Sequence, residues 1–570
     1  MSTDPKHLAA AGSPPVESRL DVEHMFPKLN AEQRARLEPV ARERRLEDGE
    51  TLWKAGDSDI NFFVVLEGSI AILVGQEDRL VTVHEPGGFT GDVDMLSGRQ
   101  AAVNAKARGT TRLLEIERSR LRSLVQTDVE LGEIVLRAFI LRRVALIESG
   151  LGNVVLVGSR QSPDTLRLQE FLTRNGRPYS YLDVDRDLSV QSLLDEFGVG
   201  IDDVPVVICW GIYVLRKPSI EALAECLGLN RVDESSVFDL VVVGAGPSGL
   251  AAAVYGASEG LSVLVLESYA PGGQAGSSSR IENYLGFPTG ISGNELASRA
   301  FVQAEKFGAS ITVASTAARL ECDERPYRVR LASGANVKAR SIIIATGAEY
   351  RRPDCVEISR FEGVGVYFAA TALEAKVCEG EDVVIVGGGN SAGQAAVFFS
   401  QTARRVHILV RAAGLAESMS QYLIRRIEEI PNIELLTHTE IVAVEGDGHL
   451  ERVTWRDSAE RRDTTAEIRH VFLMTGAVPK TDWLEGCVHL DEKGFIKTSS
   501  DLSPDDLAAA GWPLDRLPFL FETSLPGVFA VGDVRSGSTK RVATAVGEGS
   551  ACVQLAHRAI AEERRSVGMH

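Results

Sequence analysis

Phe238-Asp239-Leu240-Val241-Val242-Val243-Gly244-Ala245-Gly246-Pro247-Ser248-Gly249 is the stretch on which the reading of this chain turns. Its first six residues predict a buried strand, and the alanine-rich run after the glycines predicts a helix. A second apolar strand, Val263–Leu266, leads into Glu267, about twenty residues beyond the turn. Glycines at this G-x-G-x-x-G spacing let a backbone approach a pyrophosphate. The free N–H groups of the helix N-terminus face the phosphate charge, and an acid at the end of the next strand accepts from ribose hydroxyls. Gly244, Gly246, Pro247, Ser248, Gly249 and Glu267 are therefore candidate contacts to a dinucleotide.

A second copy begins at Asp382, with Val383-Val384-Ile385-Val386 followed by Gly387-Gly388-Gly389-Asn390-Ser391-Ala392. Two such units imply two dinucleotides, one permanent and one exchanging. Counted from the first glycine, the position equivalent to Glu267 is Val410, followed by Arg411 and Ala412. With no ribose-binding acid and a guanidinium adjacent, this unit suits a 2′-phosphate, which favours NADPH over NADH. Its candidate contacts are Gly387, Gly389, Asn390, Ser391, Ala392 and Arg411.

The chain has 570 residues, room for about four domains at roughly 150 residues each. It is 44% hydrophobic and 25% charged, a globular balance. A formal net charge of −18 argues against sequence-independent binding to nucleic acid or anionic membrane, which requires clustered Lys and Arg. The first twenty residues lack a charged region followed by an apolar one, and no apolar run approaches the ~18 residues of a spanning helix. A cytoplasmic protein is the expectation. Seven cysteines, at 209, 226, 322, 355, 378, 487 and 552, show neither C-x-x-C nor metal-ligand spacing. They are read mostly as small buried apolar residues, and no metal site is expected.

Residues 237–570 resemble the low-molecular-weight thioredoxin reductase family. The resemblance rests on both fingerprints and on Pro271-Gly272-Gly273-Gln274, Ile281–Pro288, Ala345-Thr346-Gly347, Thr475-Gly476-Ala477, Val528–Val534 and Val542–Gly549. It implies FAD in the first unit. Gly272, Gly273, Gln274 and Asn283 would lie along the flavin, beside the return at Ala345, Thr346 and Gly347. Asp533, after Gly532, would bond the ribityl chain, and a helix starting near Val542 and Ala543 would point its positive end at the flavin pyrimidine. The resemblance further implies a homodimer and an FAD domain of 237–352 and 475–570. Into it is inserted an NADPH domain, 353–474, which rotates between two working orientations.

Within that insert, Ala369-Ala370-Thr371-Ala372 stands where the family carries Cys-Ala-Thr-Cys, and Leu373 stands where it has an Asp. A thiolate is the species that attacks or forms a disulfide, and a methyl group does neither. The leading expectation is an FAD-dependent NADPH oxidoreductase whose reduced flavin passes electrons directly to an unidentified acceptor. Two alternatives stand beside it: a flavin- or nucleotide-sensing regulator with vestigial activity, and a thioredoxin reductase using another thiol pair, such as Cys355 and Cys378.

Residues 21–150 resemble a cyclic nucleotide-binding domain through GETLWKAGDSDINFFVVLEGSIAIL (49–73) and GGFTGDVDMLSG (87–98). In that family a Gly-Glu pair and an Arg about nine residues later hold the ribose hydroxyl and the cyclic phosphate. Here Gly91 and Asp92 replace Gly-Glu, Ala101 takes the Arg position, and Arg99 lies two residues early. A lost charge-assisted phosphate contact costs about 1.5–3 kcal/mol, so weak cyclic nucleotide binding is expected. The bland alternative is a β-roll for docking or dimerisation, with Val135–Ile147 as a contact surface. Residues 151–230 look like a thioredoxin or glutaredoxin domain with Ser159-Arg160-Gln161-Ser162 in place of C-x-x-C and Val204-Pro205 before a strand. Residues 231–236 read as a linker and 1–20 as a disordered N-terminus. The expected fold class is thus multidomain: an N-terminal β-roll with helices, a thioredoxin-like α/β domain, and two Rossmann-like three-layer domains.

Overall fold

The computed structural model describes residues 22–567 apart from 76–77, 93, 150–152, 161, 187–189, 191–197, 352–355, 369 and 417–418. The chain forms two compact units: Met1–Arg231 with Val302–Ala314, and Val232–Phe301 with Ser315–His570. The expected disordered terminus, 1–20, and an expected helix at 192–197 lie outside the described residues.

In the first unit, two thirteen-residue strands, Phe62–Val74 and Asn104–Ile116, pair antiparallel from Phe62↔Ile116 to Leu73↔Asn104. Both are bulged near Glu67, which increases local twist and lets the sheet curl into a roll. The roll closes over Phe62, Val64, Ile70, Phe89, Leu113 and Phe139, all nearly or fully buried. Helix Val129–Glu148 is capped by Asp128, which accepts from the Leu131 amide at 3.0 Å. In the stretch expected as a contact surface, Val135, Ala138 and Phe139 belong to the core of the roll, whereas Val144 is exposed. Beyond it, strands Val154–Gly158, Ser180–Asp183, Val206–Cys209 and Tyr213–Arg216 form one sheet, the first two parallel and the other pairs antiparallel. Helices Pro163–Arg174 and Ile220–Cys226 accompany it, and the Val204–Pro205 peptide is cis.

The second unit is built on the strand quoted at the outset. Val237–Val243 lies between Val263–Leu266 and Asn336–Ile344, parallel to both, with Val242 opposite Val265 and Ile343. A strand flanked on both edges and covered on both faces must be apolar throughout, which accounts for the Leu-Val-Val-Val run rather than an alternating pattern. Val528–Ala530 adds a further parallel strand, and Ala317–Glu321 and Tyr327–Leu331 form an antiparallel extension. A second parallel sheet runs in the order Val366–Tyr367, His470–Leu473, Asp382–Val386, Arg405–Leu409, Ile433–Leu436, with a three-stranded meander over 439–466. The chain enters and leaves this part through an antiparallel ribbon in which Ala348 faces Pro479 and Tyr350 faces Ala477. The expected linker is ordered: Asp233 accepts from the Ser235 amide at 2.9 Å and from the Ser236 hydroxyl at 2.5 Å. Among the described residues no helix is long and apolar enough to cross a membrane, and no cluster of His, Cys, Asp and Glu is placed to hold a metal ion.

Candidate dinucleotide and electron-transfer site

The first glycine-rich turn is shaped by its neighbours. Gly244 has φ +105°, and a Cβ there would run into the carbonyl of Ala345. A Cβ on Gly249 would overlap the Gly244 carbonyl oxygen, so the helix Pro247–Ser258 starts hard against the strand only because that residue is glycine. Gly246 differs, since no protein atom lies within 4 Å of a Cβ built on it. That open space, at a helix N-terminus whose amides have no intrahelical partner, fits a pyrophosphate. Ser248 is buried, with Gly532 and Gly549 packed closely against it.

Glu267 sits where an acid was expected and is 7% exposed. One of its oxygens accepts from the Ala245 amide at 2.7 Å, and the other from the Tyr269 and Ala270 amides at 2.9 and 3.2 Å. The carboxylate therefore braces the fingerprint loop and retains lone pairs for a ribose. The Gln274 side chain donates to the Ala348 carbonyl, tying the segment after Gly272 and Gly273 to the base of the ribbon. Thr346 donates to the Lys480 carbonyl at 3.4 Å, between Ala345 and Gly347. Asn283 is exposed. Asp533 is half-buried, and burial raises its carboxyl above the usual range, with Lys540 opposing the rise and Glu548 adding to it. Glu548 accepts from the Gly532 amide at 2.7 Å and pairs with Arg535 at 2.7 Å. The helix that begins at Val542, with Ala543 in its first turn, runs to Val567.

The second turn repeats the first. Gly387 has φ +144°, and a Cβ there would strike the Met474 carbonyl, while Gly389 is open. Asn390, Ser391 and the buried Ala392 start the helix that ends at Phe399, and Asn390 accepts from the Ser420 amide at 2.8 Å. Val410 is buried and Arg411 exposed.

Of the four positions 369–372, Ala369 lies outside the described residues. Ala370 is buried and bridges to Ser278, a few residues past Gln274. Thr371 donates from its amide to Glu374 at 2.8 Å and from its hydroxyl to the same oxygen. Ala372 opens the helix that runs to Val377. Cys378 is fully buried, and burial pushes its thiol up, disfavouring a thiolate. Cys355 lies outside the described residues. Arg426 clasps Glu282 at 2.9 Å, joining the inserted domain to the segment that carries Asn283.

The cysteines need correction, since Cys322 and Cys487 form a disulfide. Cys209 and Cys226 are free thiols. The disulfide joins residues 165 apart in sequence, so spacing carried no signal of it.

In the first unit, Gly91, Asp92 and Arg99 do line one cavity. Asp92 pairs with Arg143 at 2.9 Å, and Arg99 pairs with Glu305 at 3.3 Å and donates to the Ile311 carbonyl at 3.1 Å. Sequence reasoning missed Arg142 and Arg143, which enter from the following helix. In the neighbouring sheet, Ser162 caps helix Pro163–Arg174 and Arg160 pairs with Asp183, while Gln161 lies outside the described residues.

Comparison with known proteins agrees with this geometry. The pyridine nucleotide-disulphide oxidoreductase family matches residues 238–549, and the cyclic nucleotide-binding domain matches 43–128. Thioredoxin reductase of Bacillus subtilis is 31% identical over 333 residues, 58% of this chain and 97% of that protein. A 34.2 kDa protein in the rubredoxin operon of Clostridium pasteurianum is 30% identical, covering 57% and 98%. The crystal structure of Lactococcus lactis thioredoxin reductase in its FR conformation superposes with a TM-score of 0.51 at 26% identity, covering 57% of this chain and 99% of that one. The chain belongs to the pyridine nucleotide-disulphide oxidoreductase family and is a flavin oxidoreductase of the thioredoxin reductase kind, carrying a cyclic nucleotide-binding domain at its N-terminal side. FAD and NADPH are its cofactors.

Proposed function

We propose that this enzyme oxidises NADPH and delivers the electrons to an acceptor other than a dithiol relay of its own. The observation that carries the reading is Ala369 and Ala372 at the two positions where the resembling family places its redox cysteines. FAD supplies the capacity to take two electrons from NADPH and release them to an acceptor. The chain's contribution is to hold and orient. The open edge at Gly246 and the helix amides after it take the first pyrophosphate, and Glu267 the ribose. Gly389 and the helix behind it take the second, with Arg411 beside the 2′-phosphate. Asp533 and the helix N-terminus at Val542 and Ala543 set the polarity of the flavin side.

The disulfide Cys322–Cys487 does not replace the missing pair in this reading. Cys322 follows Ala317–Glu321, three strands across the sheet from Val237–Val243. At the usual spacing between strands that is about 14 Å. We propose further that residues 151–230 are a thioredoxin-like module without redox chemistry, that the protein is a cytoplasmic homodimer, and that the N-terminal domain regulates turnover by binding a small ligand. The test is anaerobic reduction by NADPH followed by reoxidation against thioredoxin, an aromatic disulfide, a quinone, dioxygen and an iron–sulfur protein. Reoxidation by the non-thiol acceptors alone supports the reading, and sustained disulfide turnover overturns it.

A further inference from the structure

The cavity inside the N-terminal roll has a volume of about 60 Å³ and is walled mainly by apolar side chains, among them Trp53, Ile72 and Val81. An engineered cavity that holds benzene is about 150 Å³, so a purine with its ribose does not fit this space as it stands. The groups a cyclic nucleotide would need are also engaged elsewhere. Arg143 holds the acid of the cassette, Asp92, and Glu305 holds Arg99.

Near this cavity are four guanidinium groups, Arg99, Arg142, Arg143 and Arg177, and three carboxylates, Asp92, Asp94 and Glu305, all buried except the partly exposed Arg99 and Asp92. Arg99 pairs with Glu305, Arg143 with both aspartates, and Arg177 with Asp94 at 2.9 Å. The guanidinium groups outnumber the carboxylates by one, and Arg142 is the one that makes no ion pair among the described residues, although the charge of Asp92 acts on it through space. That side chain is 7% exposed, lines the cavity, and donates from Nε to the Met25 carbonyl at 2.8 Å and from Nη1 to the Gly91 carbonyl at 3.0 Å. Its Nη2 has no hydrogen-bond partner. The rings of Phe89 and Phe26 lie 4.7 and 5.4 Å from the guanidinium carbon, which favours a cation there without neutralising it. His84 is buried beside it, and its burial and the Arg142 charge both push its pKa down, so it adds no second positive charge. A buried guanidinium with one idle donor is costly unless an anion completes it.

We propose that this cavity is a receptor for a compact apolar monoanion, an organic carboxylate whose oxygens meet Arg142 Nη2 and whose hydrocarbon part lies against Trp53, Ile72 and Val81. The inference rests on the proposed regulatory role only for its consequence on turnover. Binding is read independently, so failure of one is distinguishable from failure of the other.

The test is calorimetry and Trp53-dependent fluorescence on the full chain. The probes are acetate and propionate, small enough for the cavity, each against its neutral alcohol, and cyclic AMP. The expected result is one carboxylate per chain, bound at least about tenfold more tightly than the matching alcohol, with cyclic AMP weaker than either acid. Arg142→Met should abolish the preference for acid over alcohol. Equal binding of acids and alcohols, no binding of either, or cyclic AMP as the tightest probe would each overturn the proposal. If Arg142→Met fails to fold, the contrast between acid and alcohol on the unaltered protein decides alone.

Discussion

Gly244 and Gly387 meet the same obstacle, a carbonyl from a neighbouring strand of their own sheet, Ala345 in one unit and Met474 in the other. Gly246 and Gly389 both face open space. At the end of the next strand the units diverge: Glu267 is buried and bonded to three backbone amides, whereas Val410 is buried and Arg411 stands in solvent. Within each fingerprint, then, one glycine is required by the fold and another is not, and in the proposed function the second serves the ligand while the residue that chooses between ligands lies outside the glycine motif.

The largest effect should come from separating those glycine roles. Gly244→Ala and Gly387→Ala should each cost about 3 kcal/mol or more, because a Cβ meets backbone at a positive φ. Gly246→Ala should change stability of the flavin-free protein by less than about 0.5 kcal/mol yet strip FAD on gel filtration. Thermal melts and flavin absorbance measure both, and a stable, flavin-replete Gly246→Ala protein would break the division.

Next in size is the thiol step. Ala369→Cys with Ala372→Cys should allow the flavin to be reoxidised through a new disulfide, followed as thiol release after NADPH addition. Outside disulfides should still be turned over slowly, since Leu373 cannot donate a proton. Cys322→Ser with Cys487→Ser should leave NADPH oxidation by a small acceptor unchanged within about twofold. A collapse of turnover in that second variant would make the remote pair part of the electron path.

Smaller still is the ligand choice in the second unit. Arg411→Ala should raise KM for NADPH about tenfold, the low end for a charge-assisted bond at an exposed site, and leave KM for NADH nearly unaltered. Equal changes for both would assign the 2′-phosphate to another residue. The smallest effect belongs to the clasp between the domains. Glu282→Gln removes a partly exposed ion pair worth at most about 1 kcal/mol, so turnover should shift by less than about fivefold.

Local chemistry was legible in the sequence. A turn that must pass beneath a carbonyl needs glycine, a strand buried on both faces needs an unbroken apolar run, and these constraints fall on consecutive residues. The same holds for the strand and helix around Ser159–Ser162 and for the helix beginning at Val542. What sequence could not show is how charges and thiols pair across long separations. The partners of Asp92 and Arg99, Arg143 and Glu305, lie far along the chain from them. Arg142 read as one residue of an apolar helix, and only folding places it at the cavity with a donor to spare. Cys322 and Cys487 read as inert for the same reason.

The central claim is that electrons leave this enzyme without passing through a disulfide. Stopped-flow spectroscopy of the FAD-loaded protein tests it directly, by anaerobic bleaching with one equivalent of NADPH and then mixing with oxidised thioredoxin or with a quinone. The flavin band should return within the enzyme's turnover time on mixing with the quinone and remain bleached with thioredoxin. Rapid return with thioredoxin, over many cycles of added NADPH, would contradict it.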